Sequence, residues 1–226
     1  MRLAETIEGF DVNSVESVRN VLKSIHDFLQ SVDMNTLRKM EEEIDIQKRR
    51  YGWGAINVDP YGYYYPSKVM PEMTTNAKRG RVVKKNGVEK YIYDYDFENR
   101  IKRIISPYSD FITYCIYSDR CEEYISMRNS DERDKMVSIR ILGDDEKLQK
   151  MITVTGNIKS FISEIDYEIY CDDGETRQIV EQYRIFIKEM TDIIYASKKD
   201  YCMFYDEFGK YIDSYCSESY DLTYVN

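Results

Sequence analysis

The chain is short of the residues that most chemistry needs. It has one histidine, His26, one tryptophan, Trp53, and four prolines in 226 residues. His26 lies beside a helical seam, between Leu22 and Leu29, with no cysteine or carboxylate around it at ligand spacing. A Ser-His-Asp relay, a Cys-His pair or a multi-histidine zinc site within one chain is therefore not supported. The five cysteines (Cys115, Cys121, Cys171, Cys202, Cys216) form no CxxC pair. Their odd number and the lack of a signal-peptide pattern predict reduced thiols and a cytoplasmic setting. That is the host cytoplasm or the virion if the chain is viral. No apolar run approaches the roughly 18 residues of a membrane span. Gly52 and Gly54 lack the rest of any phosphate-loop fingerprint. No catalytic residue, metal ligand set or cofactor is expected.

What the first fifty residues do have is helical periodicity. Val15, Val18, Leu22, Ile25, Leu29 and Val32 recur at spacings of three and four, and Val21 and Phe28 widen the stripe. Leu37, Met40, Ile44 and Tyr51 repeat the pattern, with Gln47 interrupting it. Asn13 with Glu16 forms a capping box, Asp33 or Asn35 caps the second helix, and Gly52 ends it. The short connection predicts antiparallel neighbouring helices.

Residues 53–80 break this pattern. Trp53, Pro60, Tyr61, Gly62, Tyr63, Tyr64, Tyr65, Pro66 and Pro71 make a punctuated, aromatic connection, read as an extended arm. Val82 to Lys85, Asn86-Gly87 and Val88 to Tyr93 then predict a two-residue hairpin, with Val82 opposite Tyr91 and Lys84 opposite Glu89.

Farther on, Ile101, Ile104 and Ile105, then residues 107–127, have mostly helical spacing. Val137, Ile139 and Ile141 alternate with Ser138 and Arg140 as in a half-buried strand, and Ile152 and Val154 form its return after a turn at 143–146. Residues 158–171 read as a short helix running into a strand. Residues 176–195 favour a long helix, with a strand through Tyr183, Ile185 and Ile187 as the alternative. Tyr201, Phe204, Phe208, Tyr211 and Tyr215 form an aromatic stripe on a terminal helix. The expected fold is α+β: an N-terminal antiparallel helical hairpin over 1–52, an extended aromatic arm and β-hairpin over 53–96, and an α+β body over 97–226. The body holds an antiparallel hairpin-rich sheet, with C-terminal helices over one face and the last helix acidic.

Charge is uneven. The net charge is −9, and residues 164–226 hold fifteen acidic against six basic side chains. Residues 76–90 carry Lys78, Arg79, Arg81, Lys84, Lys85 and Lys90 against Glu89 alone. Such bipolarity suggests complementary docking, between copies or onto a partner. The basic residues, with Trp53, Tyr61, Tyr63, Tyr64 and Tyr65, are the candidate partner-binding set. The same ingredients suit nucleic acid, since cations neutralise phosphates and aromatic faces stack on bases, but the surrounding acidity opposes it. Asp94, Asp96 and Glu98, at i, i+2 and i+4, would share a strand face and could hold magnesium; a solvated strand end is the much stronger reading of them.

The function expected is a non-enzymatic structural or interaction protein in a multi-subunit assembly, with protein partners or a homo-oligomer and no membrane. Codon-biased composition (22 tyrosines), missing chemistry and an arm-like middle point to a virus or bacteriophage component. A nucleic-acid-binding accessory factor is the first alternative and a divalent-metal-dependent enzyme the second.

Overall fold

Alternation with period two, not helical periodicity, governs most of the described residues beyond 47. The structure is a computed structural model that describes residues 3–53, 67, 69, 81–83, 91–106, 111–128, 134–157, 160–187, 194–209, 211–218 and 220–224. Three helices come first: α1 (Leu3–Glu8), α2 (Val15–Ser31) and α3 (Met34–Glu43). The strands follow: β1 (Lys48–Trp53), β2 (Arg81–Val83), β3 (Tyr91–Tyr95), β4 (Ile101–Ile105), β5 (Phe111–Ser118), β6 (Cys121–Arg128) and β7 (Asp134–Leu142). Then come β8 (Leu148–Asn157), β9 (Ser160–Asp172), β10 (Arg177–Ile187), β11 (Ile194–Tyr205), β12 (Tyr211–Cys216) and β13 (Tyr220–Tyr224). All thirteen join one antiparallel sheet in the order β12-β11-β10-β9-β8-β7-β6-β5-β4-β3-β1-β2, with β13 also on β11.

The expected α+β arrangement with C-terminal helices is thus overturned. Residues 107–127 hold β5 and β6, residues 176–195 hold β10 and the start of β11, and the aromatic stripe 201–215 runs along β11, through a turn and into β12. Tyrosine and isoleucine favour a pleated, half-buried surface, and this wins over chance matches to a helical period. Residues 160–172 are strand throughout. The pair Val137–Ile141 and Ile152–Val154 does form β7 and β8, and Val137 pairs with Val154.

The N-terminal hairpin is overturned as well. The second helix ends at Glu43, and Tyr51 and Gly52 lie in β1. The α2 seam is buried as expected at Val18, Val21, Ile25 and Leu29, but it packs on the sheet. Its cap is Ser14, whose hydroxyl accepts from the Ser17 amide at 3.3 Å, one residue beyond the expected Asn13. Of the two expected caps, Asp33 and Asn35, it is Asp33 that caps α3, accepting from the Thr36 amide at 2.7 Å. Leu37 of α3 packs with Tyr114, Ile125 and Met127 of the sheet.

Register explains where the core lies. One row runs Ile125, Val137, Val154, Ile165, Ile185 and Ala196 across six strands, all buried. The next row on this face includes Ile139, Ile152, Tyr167 and Tyr183, and the Phe10 ring meets the Tyr167 ring edge-on at 4.6 Å. The helices cover this face. The opposite face is more polar: Tyr124, Ser138, Thr153, Asp166 and Arg184 line one row, and Glu122, Arg140, Met151, Glu168 and Gln182 another.

The predicted Asn86-Gly87 hairpin does not pair as expected. β1 lies between β2 and β3, so Gly52 has Val82 on one side and Tyr91 on the other. A local turn signal cannot report a strand from elsewhere in the chain that inserts between its two arms. Residues 84–90 themselves, with Lys84, Lys85, Glu89 and Lys90, lie outside the described residues.

Candidate interaction edges

A sheet of this order ends in two different edges. At one, β2 pairs with β1 through Tyr51 to Val83, Gly52 to Val82 and Trp53 to Arg81. Among the described residues nothing pairs with its other side. At the other, β12 pairs with Tyr201–Tyr205 of β11, and β13 with Ile194–Lys198 of the same strand. Both run antiparallel to β11, so residues 211–224 form one interrupted edge strand. Cys216 pairs with Tyr201 and Tyr220 with Lys198, and nearer the turn the register shifts between Phe204 and Tyr205, where Ile212 is the extra residue, an irregularity that bends an edge. The Ser217 amide donates to the Asp200 carbonyl at 2.9 Å, and the Asp200 amide donates to Ser217 Oγ at 3.0 Å, tying the interruption down.

Three of the exposed large apolar side chains among the described residues lie at or next to the second edge, while Phe97 in the β3–β4 turn and Ile46 before β1 are exposed elsewhere. Ile212 is 63% exposed, Tyr215 61%, and Phe208, in the turn before β12, 85%. Residues 211–224 carry Asp213, Glu218 and Asp221 and no lysine or arginine. An edge strand with exposed apolar groups is a template for pairing with another chain.

The first edge is braced from inside. Asp94, fully buried, receives Nε and Nη2 of Arg49 at 2.6 and 3.0 Å, and Nε and Nη2 of Arg103 at 2.9 and 2.8 Å. Arg103 also reaches Glu41 of α3. Paired forks on one carboxylate fix β1, β3, β4 and α3 together. Arg50 lies over the Tyr95 ring at 5.4 Å. Arg49 and Arg50 of β1 are thus engaged within the sheet, by Asp94 and the Tyr95 ring, while Lys48 is exposed.

This bracing also answers the carboxylate series. Asp94 meets Arg49 and Arg103; Asp96 accepts from the Arg100 amide and guanidinium; Glu98 pairs with Arg100 at 2.7 Å. The register shifts after Asp94, and residues 96–100 are a turn, so the three do not share a strand face. Among the described residues no group of three or more His, Cys, Asp and Glu side chains could hold a metal ion. His26 is exposed on α2.

Of the sequence-predicted partner-binding residues, Arg81 lies in β2 and Trp53 in β1, directly paired. Lys78, Arg79, Lys84, Lys85, Lys90, Tyr61, Tyr63, Tyr64 and Tyr65 lie outside the described residues.

Sequence reasoning missed a buried polar centre on the face away from the helices. Glu168, 1% exposed, receives Ser67 Oγ at 2.8 and 2.9 Å, Gln182 Nε2 at 2.9 Å, and the Tyr170 hydroxyl. Tyr201 donates to Gln182 Oε1 at 3.2 Å, and the Val69 amide donates to Ser67 Oγ at 3.1 Å. Burial pushes the Glu168 carboxyl above the ordinary range, and the three donors oppose that only in part. Val69 packs beside it with Leu148, Met151, Tyr170, Val180, Tyr201 and Met203. The alternation Asp166, Glu168, Tyr170 signals a polar face, but its cover comes from Ser67, 101 residues away in sequence. Clefts of about 460 and 350 Å³ open elsewhere, beside α1 and beside the end of α3, and Glu168 lines neither. The centre anchors Ser67 and Val69 to the sheet.

No family model matches the chain, and it has no match among curated proteins or among solved structures. Among the described residues no helix is long and apolar enough to cross a membrane.

Proposed function

We propose that this chain is a non-enzymatic structural or interaction protein that works inside a multi-subunit assembly, through the open edges of its sheet. One observation carries the reading: the strand order ends in β2, which among the described residues is paired on one side only, and in a C-terminal edge strand that exposes Ile212 and Tyr215. Unpaired edge amides and carbonyls supply affinity by strand addition, and the flanking charges select the partner. The buried Asp94 and Arg103 are bound to each other and, with Arg49, brace the strands next to the β2 edge.

Light scattering of the full-length chain, pure and in extract of the cells that make it, tests this. A mass above that of one chain is expected in at least one setting, weakened at least tenfold in affinity by Ile212→Lys or by Lys84→Glu with Lys85→Glu. A single-chain mass in both settings overturns it. Tight binding of DNA or RNA at physiological salt, lost in the lysine variant, would replace it with the accessory-factor reading.

A further inference from the structure

We infer that the cleft at the end of α3 binds a small zwitterion with an apolar side chain, an α-amino acid of the leucine class. The inference goes beyond the assembly reading and uses neither edge of the sheet, so either can fail without the other.

The cleft exists because two strands part. β6 pairs with β5 along all eight residues, from Phe111 to Ser118, whereas β4 pairs with it only from Ile112 to Tyr114. On its other side β4 carries an irregularity: Asp94 pairs with Arg103 and Tyr95 with Ile101, so Lys102 is the extra residue. A bulge re-aims a side chain, and here that residue is a lysine lining the opening. Tyr117 spans the gap between the strands, its hydroxyl donating to the Ile101 carbonyl at 2.8 Å. With the end of α3 as its other wall, the space is about 350 Å³, at the small end of the range for ligand sites.

Its lining specifies both a body and two charges. Met40 and Ile44 of α3, with Tyr114 and Ile116 of β5, supply apolar surface from one cluster. An aliphatic side chain laid on them leaves water on both sides of the contact. The charged groups are Lys102 and Glu43. Lys102 is half-buried, with its ammonium 5.4 Å from the centre of the Tyr117 ring, and among the described residues no carboxylate pairs with it. Glu43 likewise has no ionic partner among them. The neighbouring charges are already engaged: Arg100 pairs with Asp96 and Glu98, and Arg103 with Asp94 and Glu41. α3 has no basic residue in its last turn, so its terminal carbonyls add to the negative end of the cleft. A ligand carboxylate meets Lys102, and a ligand ammonium meets Glu43 and the end of α3. A simple fatty carboxylate would bring its charge beside Glu43 with nothing to offset it, and a simple amine would do the same beside Lys102.

Calorimetric titration of the full-length chain with leucine, isocaproate and isoamylamine tests the assignment. The last two keep the side chain of leucine, and each removes one of its charges. Leucine should bind with a Kd of about 1 mM or below, and each analogue about tenfold more weakly. Lys102→Gln should weaken leucine to the level of isoamylamine, and Glu43→Gln to that of isocaproate. Glu43 is exposed and Lys102 half-buried, so both variants should keep the wild-type urea midpoint. If Lys102→Gln does not, Lys102→Arg, which keeps the charge, should restore both the midpoint and binding. The Met40 and Ile44 methyl resonances should shift when leucine is added to the wild type, which locates the ligand on the end of α3. Absence of binding well above that concentration overturns the inference. So do analogues that bind as well as leucine, losses that neither substitution reproduces, or binding that leaves both methyl resonances unmoved.

Discussion

Lys135 Nζ, on β7, lies 2.9 Å from the carbonyl oxygen of Leu29 and also donates to that of Val32, at the C-terminal end of α2. The last turn of a helix has unpaired carbonyls and a partial negative charge, so a buried ammonium satisfies both at once. This contact fixes the long helix against the sheet at a point where α2 has no basic residue of its own in its last turn. Lys135→Met keeps the stem and removes the charge. It should lower stability by about 1–3 kcal/mol, the cost of leaving buried acceptors unpaired. Urea unfolding reads the change; a midpoint equal to the wild type would show that the carbonyls find other donors.

The α2 seam should respond unevenly to truncation. Ile25 is fully buried under the helix and Leu22 only partly, at the side of the stripe. Ile25→Ala should cost about 2–5 kcal/mol and Leu22→Ala distinctly less. Equal losses in chemical denaturation would mean that the helix is rotated from its present seat.

Stability should fall on both sides of a mildly acidic optimum, and two carboxyls account for opposite slopes. At Asp96 burial pushes the pKa up, but the Arg100 amide, the Arg100 guanidinium and the Glu98 amide outweigh it and hold the group below the ordinary range. Its contribution is present above the ordinary Asp value of about 3.9 and is lost as pH falls through the folded-state value. Glu168 is raised, so its contribution is present below the ordinary Glu value and is lost as pH rises through the folded-state value. Urea midpoints against pH should flatten on the acid side in Asp96→Asn and on the upper side in Glu168→Gln. The reverse assignment would contradict both environments.

Of the turns that hold a residue at positive φ, at Asn99, Glu146, Gly174 and Gly209, two offer a matched pair of substitutions. Glu146 sits at φ 62° in the β7–β8 turn and Gly209 at φ 73° in the β11–β12 turn. Glu146→Gly should stabilise by up to about 1 kcal/mol, and Gly209→Ala should destabilise by about 1–2 kcal/mol. A Cβ at Gly209 meets nothing within 4 Å, so the loss would be one of backbone conformation alone. Thermal midpoints measured on both variants settle the sign.

How far the sequence could be read depended on how local each determinant is. The α2 seam and the Asp33 cap are set within one or two turns and were legible. So were β7 and β8, where one face is apolar, the other polar, and Gly143 opens the turn. The β5–β6 connection is only Asp119-Arg120, with no glycine, proline or asparagine to mark it, and both strands were absorbed into a helical reading. The terminal stripe failed for a related reason: Phe204 and Phe208 are four apart in sequence but lie on either side of a strand end, the second in an exposed turn. Asp206-Glu207-Phe208-Gly209 carried the turn signal that should have broken the period. The insertion of β1 beside Tyr91 and the burial of Glu168 under Ser67 rest on contacts far apart in sequence, which no local pattern reports. At the edges, the exposure of Ile212 and Tyr215 depends on the strand order, which no local pattern reports.

The row of side chains beneath α2 has a consequence for how the protein is made. Val18, Ile25 and Leu29 are synthesised early, while Ile165, Ile185 and Ala196, which share their core, come far later. At 5–20 residues a second, the ribosome takes roughly 8 to 30 s to go from the end of α2 to Ile185. During that interval the helix has an apolar stripe and no finished sheet to lay it on. Each later hairpin can pair with the strand before it as soon as it emerges, so the sheet grows from β3 toward β12 while the helix waits. The nascent chain is therefore most exposed to chaperones and to aggregation at its amino end, and late truncations should leave a helix with half a seat.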